Sequence, residues 1–186
     1  GLYREDLTSE TQYGSGSAQG YSQTLNLGGA DSDVGGMATQ PDGKVVLAGY
    51  VDGNIAVARY TTTGQLDNTF SSDGYVVTDV PNDTDEKVNA VAVASDGGII
   101  VAGELNTTPA GYRGLVGRYN ANGDIDFSFG TNGFTSINYT GSLAPGGWGI
   151  GGNTRFYGIT IQPDGKIVLV GRSENTAGDE VDYIIA

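Results

Sequence analysis

The sequence contains no cysteine and no histidine. That removes most transition-metal sites and the usual side-chain proton shuttle at neutral pH. Basic residues are scarce: 9 Lys and Arg stand against 22 Asp and Glu, for a net charge of −13. A nucleic-acid or anionic-membrane surface needs clustered cations, and no such cluster occurs. No apolar run approaches 18 residues, so no helix is expected to span a membrane. An amphipathic helical stretch of useful length is missing as well. What is abundant is glycine, at 32 residues, with short Val, Ile and Thr runs between the glycines. This composition suits short strands joined by tight turns.

The chain writes one pattern three times. QPDGKVVLAG begins at Gln40, ASDGGIIVAG at Ala94 and QPDGKIVLVG at Gln162. A second block follows two of the copies: ARYTTTGQLDNTFSSDGY around Arg59 and GRYNANGDIDFSFGTNGF around Arg118. The stretch from Arg59 to Gly74 has the same length as that from Arg118 to Gly133. The spacing between copies differs because two connections are longer, one ahead of Arg118 and one between Gly133 and Gln162. Elastic connections around a rigid segment are the mark of a repeat whose insertions lie at the surface. A residue present in every copy is therefore expected to be scaffold.

Each copy has room for four short strands. The first, at 36–39, 90–93 and 158–161, puts small residues (Gly36, Ala90, Gly158) on one face, as a closely approached strand would need. The Asp-Gly pairs that follow are expected to supply the φ > 0 positions of two-residue hairpins, with Pro41 and Pro163 presetting the entry. The second strand, at 45–48, 99–102 and 167–170, is apolar on both faces and should be buried on both. The third ends at Arg59-Tyr60 and Arg118-Tyr119, and the mixed fourth, at 75–78 and 134–137, suits an outer edge. Repeated four-stranded antiparallel sheets stacked face to face describe an all-β fold of β-propeller blades. The chain then holds about three blade-equivalents of a larger ring. Residues 1–30 read as the third and fourth strands of a preceding blade, with Gly20-Tyr21 aligned to Gly74-Tyr75 and Gly133-Phe134. Residues 31–84 read as one complete blade, 85–152 as a second with an insertion, and 153–186 as the start of a further, truncated one. The expectation is a piece of a longer repeat protein, with the ring completed by more chain or by a second copy.

Four residues recur as pairs. Arg59 precedes Asp67, and Arg118 precedes Asp126, by the same interval. An Arg pair of this kind could clamp an anion; recurrence favours ion pairs that pin the turn after the third strand. Phe70 and Phe129 read as plugs between blades. Asp31, Asp83 and Asp85 precede first strands and are weak calcium candidates, because alternating oxygen ligands suit that ion but the helix–loop–helix calcium spacing is absent. Asx-turns account for them better, no metal site is committed, and no cofactor is expected. No pair of carboxylates is singled out by spacing, as glycoside hydrolysis would require. The long insertion NYTGSLAPGGWGIGGNT carries Tyr139 and the single Trp, Trp148, which are the candidates for contact with a ligand or partner.

The QPDGKIVLVG block, the Arg-Tyr near a strand end and Leu66-Asp67-Asn68-Thr69-Phe70 together resemble the bacterial delta-sixty repeat, a propeller-type repeat of unassigned function. The second copy departs from it, with Ala94-Ser95 in place of Gln-Pro and Gly98 in place of Lys. The resemblance implies an exported bacterial protein, extracellular or at the cell surface. It supplies no catalytic residues. The expected function is accordingly a non-catalytic structural or interaction module, in a fibre, surface layer or adhesin. Its partners would be other proteins, the remaining blades or copies of itself, with no nucleic acid and no membrane insertion. The alternative is a carbohydrate-binding or glycan-hydrolysing propeller that works through loops at one end of the ring.

Overall fold

The computed structural model describes residues 27, 29–81, 85–107, 111–138 and 153–174, and the backbone of 181–185. The described residues form eleven strands in three sheets. The first sheet runs β1 (Ser32–Thr39), β2 (Val45–Val51), β3 (Asn54–Tyr60) and β4 (Tyr75–Thr78). The second runs β5 (Glu86–Val93), β6 (Ile99–Asn106), β7 (Tyr112–Tyr119) and β8 (Phe134–Ile137). The third holds β9 (Asn153–Ile161), β10 (Ile167–Glu174) and β11 (Val181–Ile185). In every sheet each strand pairs antiparallel with the next in sequence. Among the described residues no helix is long and apolar enough to cross a membrane.

The first strands are longer than the alternation of small residues implies. Each continues across a β-bulge, with Gly35, Asn89 or Tyr157 as the unpaired residue. A bulge shifts the in-out alternation by one, so a period-two pattern stops being readable there. The bulge also accounts for the glycine that closes each VxxAG-type block. A β-carbon on Gly49 would lie 2.0 Å from the Asp33 carbonyl oxygen; on Gly103, 1.8 Å from that of Lys87; on Gly171, 2.0 Å from that of Arg155. These three carbonyls stand at equivalent positions, two residues before each bulge. Bulge and glycine form a matched pair across the first and second strands.

The Asp-Gly turns correct one expectation. Only the glycines, Gly43, Gly97 and Gly165, have positive φ; Asp42, Asp96 and Asp164 do not. Gly43 N–H donates to the Gln40 carbonyl at 2.9 Å and Gln40 N–H to the Lys44 carbonyl at 2.8 Å, and the other two copies repeat both bonds. Each is a turn closed by a left-handed glycine rather than a two-residue hairpin. The turn begins one residue earlier than the Asp-Gly pair implies, so its central residues are Pro41-Asp42, Ser95-Asp96 and Pro163-Asp164, none with positive φ; the proline ring presets this in two copies and Ser95 adopts it without one. The aspartate serves differently. The Oδ1 of Asp42, Asp96 and Asp164 accepts the N–H two residues on, at 3.1, 2.9 and 3.2 Å.

The sheets stack face to face, with the first strands β1, β5 and β9 packed against one another in order. Two apolar cores lie between them. One joins the first and second sheets through Val46, Ala48, Val88 and Val91; the other joins the second and third through Ile100, Ala102, Phe156 and Leu169. The central strand β6 is buried on both faces along most of its length, whereas β10 is partly open. The difference follows from stacking, since the third sheet has a described neighbour on one side only.

Candidate functional site: the junctions between sheets

Arg59 sits at the end of β3 and is 6% exposed, in a setting that demands a partner for its charge. Its Nε lies 2.7 Å from Asp67 Oδ2 and its Nη2 donates to Thr69 Oγ1 at 3.1 Å. Nη1 crosses to the second sheet and donates to the Ala121 carbonyl at 2.5 Å. The guanidinium stacks 4.9 Å from the centre of the Phe70 ring. That ring is fully buried and faces Gly123, where a β-carbon would stand about 3.1 Å from it. Ser71 N–H donates to the Asn122 carbonyl at 2.8 Å. The turn after β3 thus plugs into the corresponding turn of the next sheet, and Arg59 clasps the two.

The same frame is built again around Arg118. Four backbone bonds recur, from Asp67 N–H to Arg59 O, Phe70 N–H to Asp67 O, Gly74 N–H to Phe70 O and Arg59 N–H to Gly74 O, with their counterparts at Asp126, Phe129, Gly133 and Arg118. Arg118 Nε lies 3.0 Å from Asp126 Oδ2, and its Nη2 also pairs with Asp96. Ser128 takes the place of Thr69 on the aspartate, at 2.6 Å. This copy is more open, and Phe129 is only half-buried.

Burial works to raise the pKa of Asp67, but hydrogen bonds from Thr69 and Lys44 and the Arg59 charge outweigh it and hold the carboxyl well below the usual range. Lys44 Nζ stands 3.0 Å from the same oxygen that Arg59 holds. The stabilisation is fully present above about pH 4, where an unfolded aspartate is ionised, and is lost as pH falls toward the folded value. Asp67→Asn is expected to flatten this dependence. Melting temperatures measured between about pH 5 and pH 2.5 should fall less steeply for the variant than for the parent; parallel curves would refute the assignment.

A second polar cluster spans the other junction. Arg155 on β9 lies 2.6 Å from Glu104 of β6 and 3.0 Å from Glu174 of β10, with its guanidinium 4.2 Å from the Tyr112 ring centre. Burial pushes the Glu104 carboxyl above its usual range despite the nearby charges of Arg155 and Lys87. Burial acts in the same direction on Glu174, but the Arg155 hydrogen bond and the charges of Arg155 and Arg172 prevail and hold it low. At the first junction the equivalent places hold Lys87 and Tyr50, with the ammonium 5.0 Å from the ring centre. Side-chain volumes trade in the same way. Ile55 and Val88 are wholly buried at the first junction; the second has Gly114 and Phe156 instead, with the Phe156 ring lying where a β-carbon on Gly114 would stand. Comparing copies for shared residues misses Glu104, Arg155 and Glu174, because these places change from copy to copy. The available signal is covariation of charge and size between one copy's second strand and the next copy's first.

Of the remaining sequence candidates, Trp148, Tyr139 and Asp83 lie outside the described residues. Asp31 and Asp85 use their backbone carbonyls, which accept the N–H groups of Asp52 and Asn106 at 2.7 and 2.8 Å. Among the described residues no group of three or more acidic side chains is placed to hold a metal ion.

Residues 40–70, 94–129 and 162–186 match a family described as a β-propeller domain of unknown function, DUF5122. The chain is a β-propeller repeat protein. Its sheets are blades, set in an open arc rather than a closed ring among the described residues. In both complete blades the matched segment runs from the first hairpin to the aromatic plug, Phe70 or Phe129, and so takes in the whole clasp. Among solved structures, selenomethionine-substituted virginiamycin B lyase from Staphylococcus aureus is 18% identical, with a TM-score of 0.41 over 86% of this chain and 43% of that one. A catalytically inactive variant of that lyase with Quinupristin is 19% identical, with a TM-score of 0.41 over 87% and 44%. The chain spans less than half the length of these structures. No protein of curated function matches it.

Proposed function

We propose that these blades form a non-catalytic structural or interaction module, of the delta-sixty kind, in an exported bacterial protein of the cell surface or extracellular space. The observation that supports this most directly is how the recurring polar residues are used. Arg59 and Asp67 are spent on the blade-to-blade clasp, and Arg118 and Asp126 on its second copy. Glu104 and Glu174 are held by Arg155. Acids committed to guanidinium groups are poor candidates for proton transfer. The scarcity of lysine beside many Thr, Asn, Gly and Asp residues supports the exported setting. The partners of such a module are further blades and other proteins.

The competing function is a carbohydrate binder or glycan hydrolase working through the loops, with Trp148 as its contact. Trp148 is the single tryptophan and reports on it directly. Titration with a glycan panel is expected to give no saturable quenching and no released sugar. Saturable quenching, lost in Trp148→Ala, would replace the scaffold reading with the binder. EDTA is expected to leave the melting temperature unchanged; a drop reversed by calcium would restore a metal site.

A further inference from the structure

A cavity of about 380 Å³ opens between the outer parts of the first and second blades. Val80 closes one side, where the chain leaves the first blade. Leu105, Leu115 and Phe134 of the second blade form the floor, and all four of these side chains are buried. Thr131, Asn132 and Ser136 stand exposed around the rim. The lining holds no charged residue. An apolar floor edged by a few polar groups is the usual form of a small-molecule site.

Arg113 stands at the mouth. It pairs with Leu105 across the β6–β7 ladder and precedes Leu115 by two residues, so its side chain leaves the sheet on the cavity's face. Two residues along a strand span about 7 Å, within the reach of an arginine side chain. Arg113 is exposed. Among the described residues every other Lys and Arg has a carboxylate or an aromatic ring against it; Arg113 has neither. Glu86 lies in the same cross-strand row, but beyond Leu105 and 1% exposed, so the open end of the row is its cationic end. The first blade shows what the repeat places at the equivalent positions: Asn54 for Arg113, Asp73 for Asn132 and Val77 for Ser136. Relative to it, the second blade gains a cation, loses an acid and gains a hydroxyl donor around one cavity. In a chain of 22 acidic and 9 basic residues, all three differences favour an anion.

We propose that this cavity binds a small organic anion, a carboxylate carried on an apolar body about the size of one large aliphatic side chain. The apolar body lies on Leu105, Leu115 and Phe134. The carboxylate faces Arg113 at the mouth and accepts hydrogen bonds from the Ser136 hydroxyl and the Asn132 amide. Removing the apolar body from water supplies most of the affinity, and the guanidinium supplies the preference for a charged ligand. The site is separate from the Arg59 clasp, and the scaffold reading does not depend on it.

NMR titrations of the 186-residue chain with N-acetyl-leucine and with its neutral amide test it. The two probes share one apolar body, and only the first carries a carboxylate at neutral pH. The acid is expected to bind with a dissociation constant of about 1 mM and the amide about fivefold more weakly. Shifted backbone signals should centre on Leu105, Leu115 and Ser136. Arg113→Asn, which installs the first blade's residue, should bring the acid down to the level of the amide and leave the amide unchanged; circular dichroism checks that the variant is folded. A peptide ending in leucine with a free carboxylate distinguishes the sources. If it binds more tightly than N-acetyl-leucine, the ligand is a polypeptide C-terminus; if more weakly, a free acid, and either result supports the site. No saturable binding of the acid, equal binding of acid and amide, signals that shift elsewhere, or a preference for the acid that survives Arg113→Asn would overturn the proposal. Any of these would leave the scaffold reading as it stands.

Discussion

Replacing Gly103 with alanine is expected to lower the melting temperature by several degrees. The added carbon would stand 1.8 Å from the Lys87 carbonyl oxygen, with the Lys87 carbonyl carbon and Val88 Cα within 3 Å. All of these are backbone atoms of β5, a strand packed between β1 and β9. A side chain can rotate away from an intruding methyl, but this carbonyl can move only if the bulge is undone. The cost should reach or exceed the upper part of the usual overpacking range, about 3 kcal/mol. For a chain of this size that corresponds to a fall of about 6–12 °C in thermal melts. Gly165→Ala is the control. That glycine has φ +85° but nothing within 4 Å of a β-carbon, so it should cost only the left-handed backbone penalty of about 1 kcal/mol. Equal effects at the two sites would show that the bulge relaxes freely and that the glycine is needed for chain flexibility alone.

Arg59→Met should be the second large effect. The substitution preserves much of the packing against Phe70 but strands Asp67, which is 5% exposed, with Lys44 as its remaining cation. It also leaves the Ala121 carbonyl of the next blade without this donor. Removing one partner of a buried ion pair typically costs about 3–5 kcal/mol, and Lys44 should hold this case to the lower end, about 3 kcal/mol. Arg118→Met should cost clearly less, because that guanidinium and both of its carboxylate partners are more open to water. Denaturant melts of the two variants decide the matter. If the two losses are alike, Arg59 acts within its own turn and the contact across the junction contributes little.

The repeat made much of this legible in advance. Three copies of one pattern required equivalent units, and the doubly apolar second strand required that each unit be covered on both faces. The Arg59–Asp67 pairing could be read from its recurrence at Arg118 and Asp126. The turn differs from the expectation because Asp-Gly has a strong association with two-residue hairpins, whereas here the turn starts one residue earlier and puts its glycine at the fourth position, with a proline in two copies and with Ser95 in the other. The glycine ending each VxxAG-type block was visible as a constant, but nothing in the sequence says that a carbonyl from another strand stands against it.

The cluster of Glu104, Arg155 and Glu174 was illegible for a related reason. A comparison of copies finds what they share, and a junction is made of what adjacent copies do not share: Tyr50 with Lys87, then Glu104 with Arg155; Ile55 with Val88, then Gly114 with Phe156. Such pairs are complementary rather than identical. They can be recognised only once it is known which strand of one blade faces which strand of the next.

By itself the sequence determined the unit, its four-strand order and the residues common to every copy, because hydrophobic alternation and turn chemistry act over a few neighbouring residues. Which strand bulges, which glycine a carbonyl excludes from substitution, and which unlike residues join one blade to the next were decided only by the tertiary structure. Those depend on contacts between residues some 15 to 70 positions apart, whose distances are set by the stacking of whole sheets.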